Sequence, residues 1–307
     1  MIPLWSGSAN TWDCDEMGHM NVRVYMEKAM EGLGSFAAAI AMPHAFRAGA
    51  LSTLVVAEHH VRFIREVHPG RPLKMTACVL EWDDTSVLLY QDIRHGDGTP
   101  AAAFRTRLMH CDAKTGNPFT WSTRSRAQLE ALRGEAPADT QPRGLDIDKA
   151  PIPSRDATLQ TALKFKAPEI GRGSIPLHHC DVFGRMKAEW FMGRISDSVP
   201  NLLYDWRRDV ASAMDGAQMG AAVLEYRLVY RKWPRSGDRF VAHSALAEAA
   251  EKTHTLSHWM LDPDTGEAWM TSEAVAVTFD LNTRKVIPTP PEQIAALEKI
   301  APRGLTL

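Results

Sequence analysis

The stretch Trp12-Asp13-Cys14-Asp15-Glu16-Met17-Gly18-His19-Met20-Asn21-Val22-Arg23-Val24-Tyr25 collects an acid, a glycine, an imidazole and an amide just ahead of an apolar segment. A carboxylate at that point serves as a general base or as a direct attacker. If a helix follows, the first backbone N–H groups lack intrahelical acceptors and sit at the positive end of the helix dipole. They suit a developing oxyanion, and Gly18 would let the backbone approach the reacting carbonyl closely. His19 and Asn21 are placed to orient a water or that carbonyl. The chemistry on offer is attack on a carbonyl carbon.

Each residue also has a plainer reading. An Asp before a helix is often only a cap, Asn21 is a good N-cap residue, and His19 can be a satisfied polar group near a core. Tyr25 reads first as helix packing. Cys14 invites a nucleophile reading, but no His is placed to pair with it, and a buried Cys is usually a small hydrophobe.

The elements that would carry these residues follow from periodicity. Val24, Met30, Leu33, Phe36, Ala37 and Ile40 recur at helical spacing and predict a helix over 22–46 with Asn21 at its start. A short strand-like segment precedes Trp12. Strand candidates follow over 54–67, 73–84, 86–98 and 101–112, punctuated by Pro69-Gly70 and Gly96-Asp97-Gly98. One helix after a first strand, then a run of antiparallel-type strands, is an α+β layout.

The chain then repeats itself. Cys14 and Asp15-Glu16-Met17-Gly18-His19-Met20 reappear as Cys180 and Asp181-Val182-Phe183-Gly184-Arg185-Met186. AEHHVRFIREVHPGRPL from Ala57 aligns with LEYRLVYRKWPRSGDRF from Leu224, matching Glu58 to Glu225 and Gly70 to Gly237. CDAKTGNPFTW from Cys111 aligns with FDLNTRKVIPT from Phe279, and each copy closes on a helical tag, RAQLEAL and EQIAALEKI. Four matches in one order argue for duplication, with a second helix near 189–213 and a turn at Pro263-Asp264-Thr265-Gly266. The Pro- and Asp-rich stretch 134–157 has no apolar period and reads as an ordered-to-flexible linker. The expected division is residues 1–135, a linker at 136–156, and 157–307.

The segment from Trp12 to Tyr25 resembles the active-site segment of hotdog-fold thioesterases, of the hydroxybenzoyl-CoA thioesterase and acyl-ACP thioesterase types. Their Asp, Gly-His-x-Asn and helical aromatic fall on Asp15, Gly18, His19, Asn21 and Tyr25. The stretch from Glu58 to Leu73 resembles the same family's second strand and turn. The resemblance implies two tandem hotdog domains, each a long helix wrapped by an antiparallel sheet, joined as an intrachain pseudo-dimer. It implies hydrolysis of an acyl-CoA or acyl-ACP thioester with Asp15 as the catalytic carboxylate, and neither metal nor redox cofactor. Association of such pseudo-dimers into homo-oligomers is left open.

Copy two keeps Asp181 and Gly184 but replaces His19 by Arg185, Asn21 by Lys187 and Tyr25 by Phe191. Two readings compete: a degenerate copy whose Arg185 or Lys187 meets a phosphate of CoA, or a second, different site at Asp181. The first is preferred here. Glu58 and Glu225 lie on strands that could face the cleft or solvent, and the same choice holds for Arg62, Arg65, Arg227, Arg231 and Lys232.

With 307 residues, two domains of roughly 100–200 residues are expected. A net charge of -2 without basic runs argues against nucleic acid or a membrane surface as partner. The N-terminus shows no basic n-region or apolar h-region, so no signal peptide is expected. Four dispersed cysteines suit a reducing compartment, and a cytoplasmic location is the expectation. The rival activities are a hotdog dehydratase or hydratase, whose usual motif is missing, and a non-catalytic acyl-CoA-binding protein.

Overall fold

An amphipathic helix of five turns is marginal alone in water and must lay its apolar stripe on a second layer. The computed structural model describes residues 1–210, 219–280, 282–301 and 304–307. Its strands are β1 (Ile2–Ser8), β2 (Ser52–Phe63), β3 (Pro72–Trp82), β4 (Ser86–His95), β5 (Pro100–Asp112), β6 (Glu169–Ser174), β7 (Met219–Tyr230), β8 (Arg239–Ala249), β9 (His254–Leu261) and β10 (Ala268–Asp280). Its helices are α1 (Val22–Ala39), α2 (Thr123–Ala131), α3 (Leu159–Lys164), α4 (Ala188–Val210) and α5 (Pro291–Ile300). No helix among the described residues is long and apolar enough to cross a membrane.

The chain forms two compact units. The first comprises Met1–Pro142 together with Cys180–Glu189, the second Arg143–His179 together with Trp190–Leu307. The first carries antiparallel strands in the order β1-β3-β4-β5-β2. The second repeats that order as β6-β8-β9-β10-β7. The duplication extends to irregularities of register. β2 bulges between Val56 and Glu58, and β7 between Val223 and Glu225; β3 bulges between Val79 and Glu81, and β8 between Leu246 and Glu248. A bulge inserts one residue and re-aims those beyond it, so its retention in both copies marks a common design.

In the first unit α1 buries Val24, Tyr25, Met26, Ala29, Gly32, Leu33, Phe36 and Ala37. Contact with the strands is close: a Cβ added at Gly32 would lie 2.8 Å from Met75 Sδ. One polar tie fixes the helix. Gln91 Nε2 on β4 donates to the Ala29 carbonyl at 2.8 Å, while its Oε1 accepts from Thr106 at 2.9 Å. In the register of Gln91 the second unit places His258, whose Nδ1 is 2.6 Å from Ser244 Oγ.

α1 ends at Ala39, short of the predicted Phe46. Ala41 turns left-handed (φ 63), its N–H bonds the Ala38 carbonyl, and Met42 N–H bonds Ala37, a Schellman closure followed by Pro43. β2 likewise stops at Phe63 rather than Val67, because the Ile64 and Arg65 amides both turn to Ala101 O. α4 runs from Ala188 through Pro200 to Val210; the predicted continuation over 211–213 lies outside the described residues. The stretch 134–157 contains a 3-10 turn at Ala138–Thr140 and is tied to both sheets' strands by side chains described below.

Burial sets a pH dependence. His59 on β2 and His258 on β9 are buried, and desolvation pushes each imidazole down to about 3. The unfolded chain takes up these protons near pH 6.5. Between about 6.5 and 3 it therefore binds more protons than the folded chain, so stability is complete above that window and falls as pH drops through it. Each group contributes a slope of about 1.4 kcal/mol per pH unit. Urea unfolding at pH 7, 6 and 5 should show that decline, flattened in His258→Gln; equal declines in both proteins would contradict the assignment.

Candidate active site

The segment ahead of α1 folds by local hydrogen bonds. Gly18 N–H closes a turn on the Asp15 carbonyl at 3.0 Å, with Gly18 at φ 77, a left-handed conformation that costs other residues. Asp15 N–H donates to the His19 carbonyl at 3.0 Å, and Cys14 and Met20 form a β-bridge. The turn bends the Asp15 carboxylate back onto the loop, where Oδ1 accepts from Met17 N–H at 3.0 Å. Asn21 caps α1 by accepting from Arg23 N–H at 2.9 Å, and its carbonyl accepts from Val24 at 2.9 Å. Val22 N–H, the first of the helix, has no acceptor among the described residues.

Asp15 is largely withdrawn from solvent, its side chain 18% exposed. Desolvation pushes its carboxyl above the usual range, against the opposing pull of His19 and of the Met17 and His19 amides. His19 Nδ1 lies 3.5 Å from Asp15 Oδ1. Tyr25 is buried and packs edge-on against Phe63 at 5.3 Å. Burial drives its phenol strongly upward, opposed by the Val67 N–H and reinforced by Glu66, Cys14 and Asp15. Tyr25 is thus both a packing residue and a neighbour of the carboxylate. Cys14 donates to the Asn10 carbonyl at 3.4 Å, and burial, Asp13 and Asp15 push its thiol up, which opposes a thiolate nucleophile.

Two neighbours fall outside the motif. Glu66 Oε1 is 3.8 Å from His19 Nε2, and Glu66 Oε2 is 3.8 Å from His68 Nε2. His68 Nδ1 is 3.0 Å from the Gly18 carbonyl, and Met20 N–H donates to Val67 O at 2.7 Å. The sequence signal for these residues was the Pro69-Gly70 turn, which folds the segment after β2 back onto the loop.

The same turn recurs in copy two. Gly184 (φ 77) donates to the Asp181 carbonyl, and Asp181 Oδ1 accepts from Phe183 and Arg185 amides at 2.9 and 3.0 Å. Its other oxygen differs from Asp15's: Arg185 grips Oδ2 through Nε at 3.1 Å and Nη2 at 3.0 Å, and the guanidinium stacks over Phe183 at 4.8 Å. Lys187 precedes the first turn of α4 beside buried Glu189, whose carboxyl is raised by burial and by Glu27 and lowered by Lys187 and Arg23.

The strand residues have structural partners. Glu58 follows the β2 bulge and pairs in register with Arg107. Glu225 is buried and accepts from the Arg143 and Gly144 amides, at 3.1 and 2.5 Å. Arg62 donates to the Asp139 and Gln141 carbonyls, Arg227 to Asp146 and Lys149, and Arg231 to Ile152. Lys232 pairs with Glu267, and Arg65 lies near His95 and Asp97. Among the described residues no group of three or more His, Cys, Asp or Glu side chains is arranged to hold a metal ion.

A long helix laid across a five-stranded antiparallel sheet, twice, with an aspartate turn at the foot of each helix, defines a pair of tandem hotdog domains. The chain belongs to the thioesterase-like superfamily, whose model matches residues 9–155 and 175–297. Solved structures share the fold across nearly the whole chain. An acyl-ACP thioesterase from Bacteroides thetaiotaomicron is 12% identical, with 89% of this chain and 96% of that one covered at a TM-score of 0.62. A putative oleoyl thioesterase from Lactobacillus plantarum is 12% identical, with 93% and 96% covered at 0.66. A 12:0-ACP thioesterase from Umbellularia californica is 10% identical, with 89% and 92% covered at 0.64. Comparison with curated proteins by sequence returned no match.

Removing the Glu225 carboxylate leaves the Arg143 and Gly144 amides of the 134–157 strap without their acceptor and should cost about 1.5–3 kcal/mol. Urea unfolding of Glu225→Ala checks this. A variant as stable as wild type would mean that the strap contributes nothing through this contact.

Proposed function

We propose that this chain hydrolyses an acyl thioester of coenzyme A or of an acyl carrier protein, with Asp15 as general base. The observation that carries the reading is the half-buried Asp15 carboxylate, held by the Met17 amide beside His19 at the foot of α1. Oδ1 is engaged by that amide and faces His19, which leaves Oδ2 to take a proton from water. The water oxygen bonds to the acyl carbon; the tetrahedral oxyanion is met by Val22 N–H and the positive end of the helix. Collapse breaks the C–S bond, and the proton passes to the leaving sulfur.

The second copy supplies no equivalent base in this reading, because both Asp181 oxygens are already bound. Acyl-ACP is included as substrate because the acyl-ACP thioesterases named above share the two-copy layout over almost their whole length.

The test is thiol release from a panel of acyl-CoA and acyl-ACP substrates by wild type, Asp15→Asn and Asp181→Asn. Loss of a general base costs roughly 10²–10⁴-fold, expected for Asp15→Asn, while Asp181→Asn keeps much of its turnover. Because burial raises the Asp15 carboxyl, the ionised base disappears earlier than an exposed Asp would as pH falls. The acid limb of the rate profile should therefore lie above about pH 3.9. Equal losses in the two variants, or hydration of the acyl chain without thiol release, would overturn the reading.

A further inference from the structure

Asp15 stands at one end of a row of side chains that the hydrolytic step does not itself use. His19 Nδ1 faces Asp15 Oδ1 at 3.5 Å and Nε2 faces Glu66 Oε1 at 3.8 Å. Glu66 Oε2 faces His68 Nε2 at 3.8 Å, and His68 Nδ1 lies 3.0 Å from the Gly18 carbonyl, within the Asp15 turn. The row is therefore a closed ring: it leaves the turn at Asp15 and returns to it at Gly18. His19 Nε2 is buried and makes no hydrogen bond, so the Glu66 carboxylate is the charged group set against that edge of the imidazole. The charged and titratable groups around the ring are Asp15, from its own turn, Glu66 and His68, from the segment after β2, and the Tyr25 phenol, from α1, close to Glu66, Asp15 and Cys14.

The duplication provides an internal control. Copy two retains the turn, its glycine and its carboxylate, yet every other member of the ring has changed: His19 to Arg185, Glu66 to Trp233 and His68 to Arg235. Trp233 lies instead in an aromatic cluster, stacked on Tyr230 at 5.1 Å and edge-on to Phe191 at 5.5 Å. Contacts that merely stabilised the turn would be as useful in copy two, where the turn has the same geometry. Their joint replacement where the carboxylate is locked by Arg185 ties them to a free carboxylate.

We propose that Glu66 is a positioning residue, which with His68 holds the His19 imidazole against Asp15 and so keeps the carboxylate aimed at the substrate. The proposal rests on the hydrolase reading above. An imidazole set between carboxylates on both ring edges is restrained in rotation, because turning it moves both edges away from their partners. Without Glu66 the ring is free to turn away from Asp15, which weakens the aim of the base and leaves substrate binding alone.

The experiment uses the full chain with Glu66→Ala, Glu66→Asp and His68→Gln. Two readouts are taken: steady-state hydrolysis of the acyl thioester that wild type turns over fastest, and long-range proton–nitrogen NMR of the His19 ring, assigned by its loss in His19→Asn. Misplacement of a catalytic group costs up to about 100-fold, so Glu66→Ala should lose roughly 10- to 100-fold in kcat with KM within about twofold. Glu66→Asp should recover part of the loss, and the His19 ring nitrogens should shift in Glu66→Ala at unchanged thermal midpoint. Unchanged kcat, or an unchanged His19 ring spectrum, overturns the proposal. If wild type hydrolyses no acyl thioester, the hydrolase reading fails, and the ring spectrum alone decides whether Glu66 holds His19.

Discussion

In both copies an aspartate bends back so that its carboxylate accepts the amide of the residue two positions on, while a left-handed glycine closes the turn beneath it. The rest of the site depends on this small loop. It brings an acidic group to the end of a long helix without spending a helical residue on it, and it uses carboxylate–amide bonds to offset the desolvation of a half-buried charge. The helix in turn must be held at a fixed depth, and in the first unit packing against Met75 and a hydrogen bond from Gln91 to the Ala29 carbonyl both contribute. A buried amide satisfied on both sides specifies one register for a helix that would otherwise slide over an apolar surface.

The same loop is then furnished differently in the two copies, and the residue after the glycine is where the carboxylate's partners part. Where His19 follows the glycine, its imidazole Nδ1 lies 3.5 Å from Asp15 Oδ1. Where Arg185 follows it, the guanidinium spans Asp181 Oδ2 through two donors. Arginine stays charged and presents a rigid fork, so the pair holds at any pH near neutrality. Its geometric consequence is that both Asp181 oxygens accept protein donors, Oδ1 from the Phe183 and Arg185 amides and Oδ2 from the Arg185 side chain. The duplication therefore shows that the turn folds with either partner beside its carboxylate.

Much of this was legible in the residues. The repeat, the N-cap at Asn21 and the five strands of each copy follow from periodicity and turn chemistry, because those are local effects. Glu66 and His68 were missed because they reach Asp15 only through the fold-back after β2, and no spacing rule links residues so far apart in the chain. The end of α1 was overestimated because Ala41 occupies a left-handed position usually given to glycine, and alanine sends no signal of it.

The strand arginines show how burial changes the meaning of a charge. On an isolated sheet, Arg62, Arg227 and Arg231 read equally well as a solvated face or as ligands for a phosphate. In the structure these side chains meet the connection over 134–157. It is rich in proline and makes almost no regular structure, so its carbonyls have few backbone donors available. Arginine carries five N–H groups and no acceptor, and here its forks are spent on those carbonyls: Asp139 and Gln141 by Arg62, Asp146 and Lys149 by Arg227, Ile152 by Arg231. Glu225 completes the pattern with the opposite polarity, accepting the Arg143 and Gly144 amides that precede the next carbonyls. A segment that looks like a tether by composition is thus held along its length by side chains of the strands, which bond its backbone.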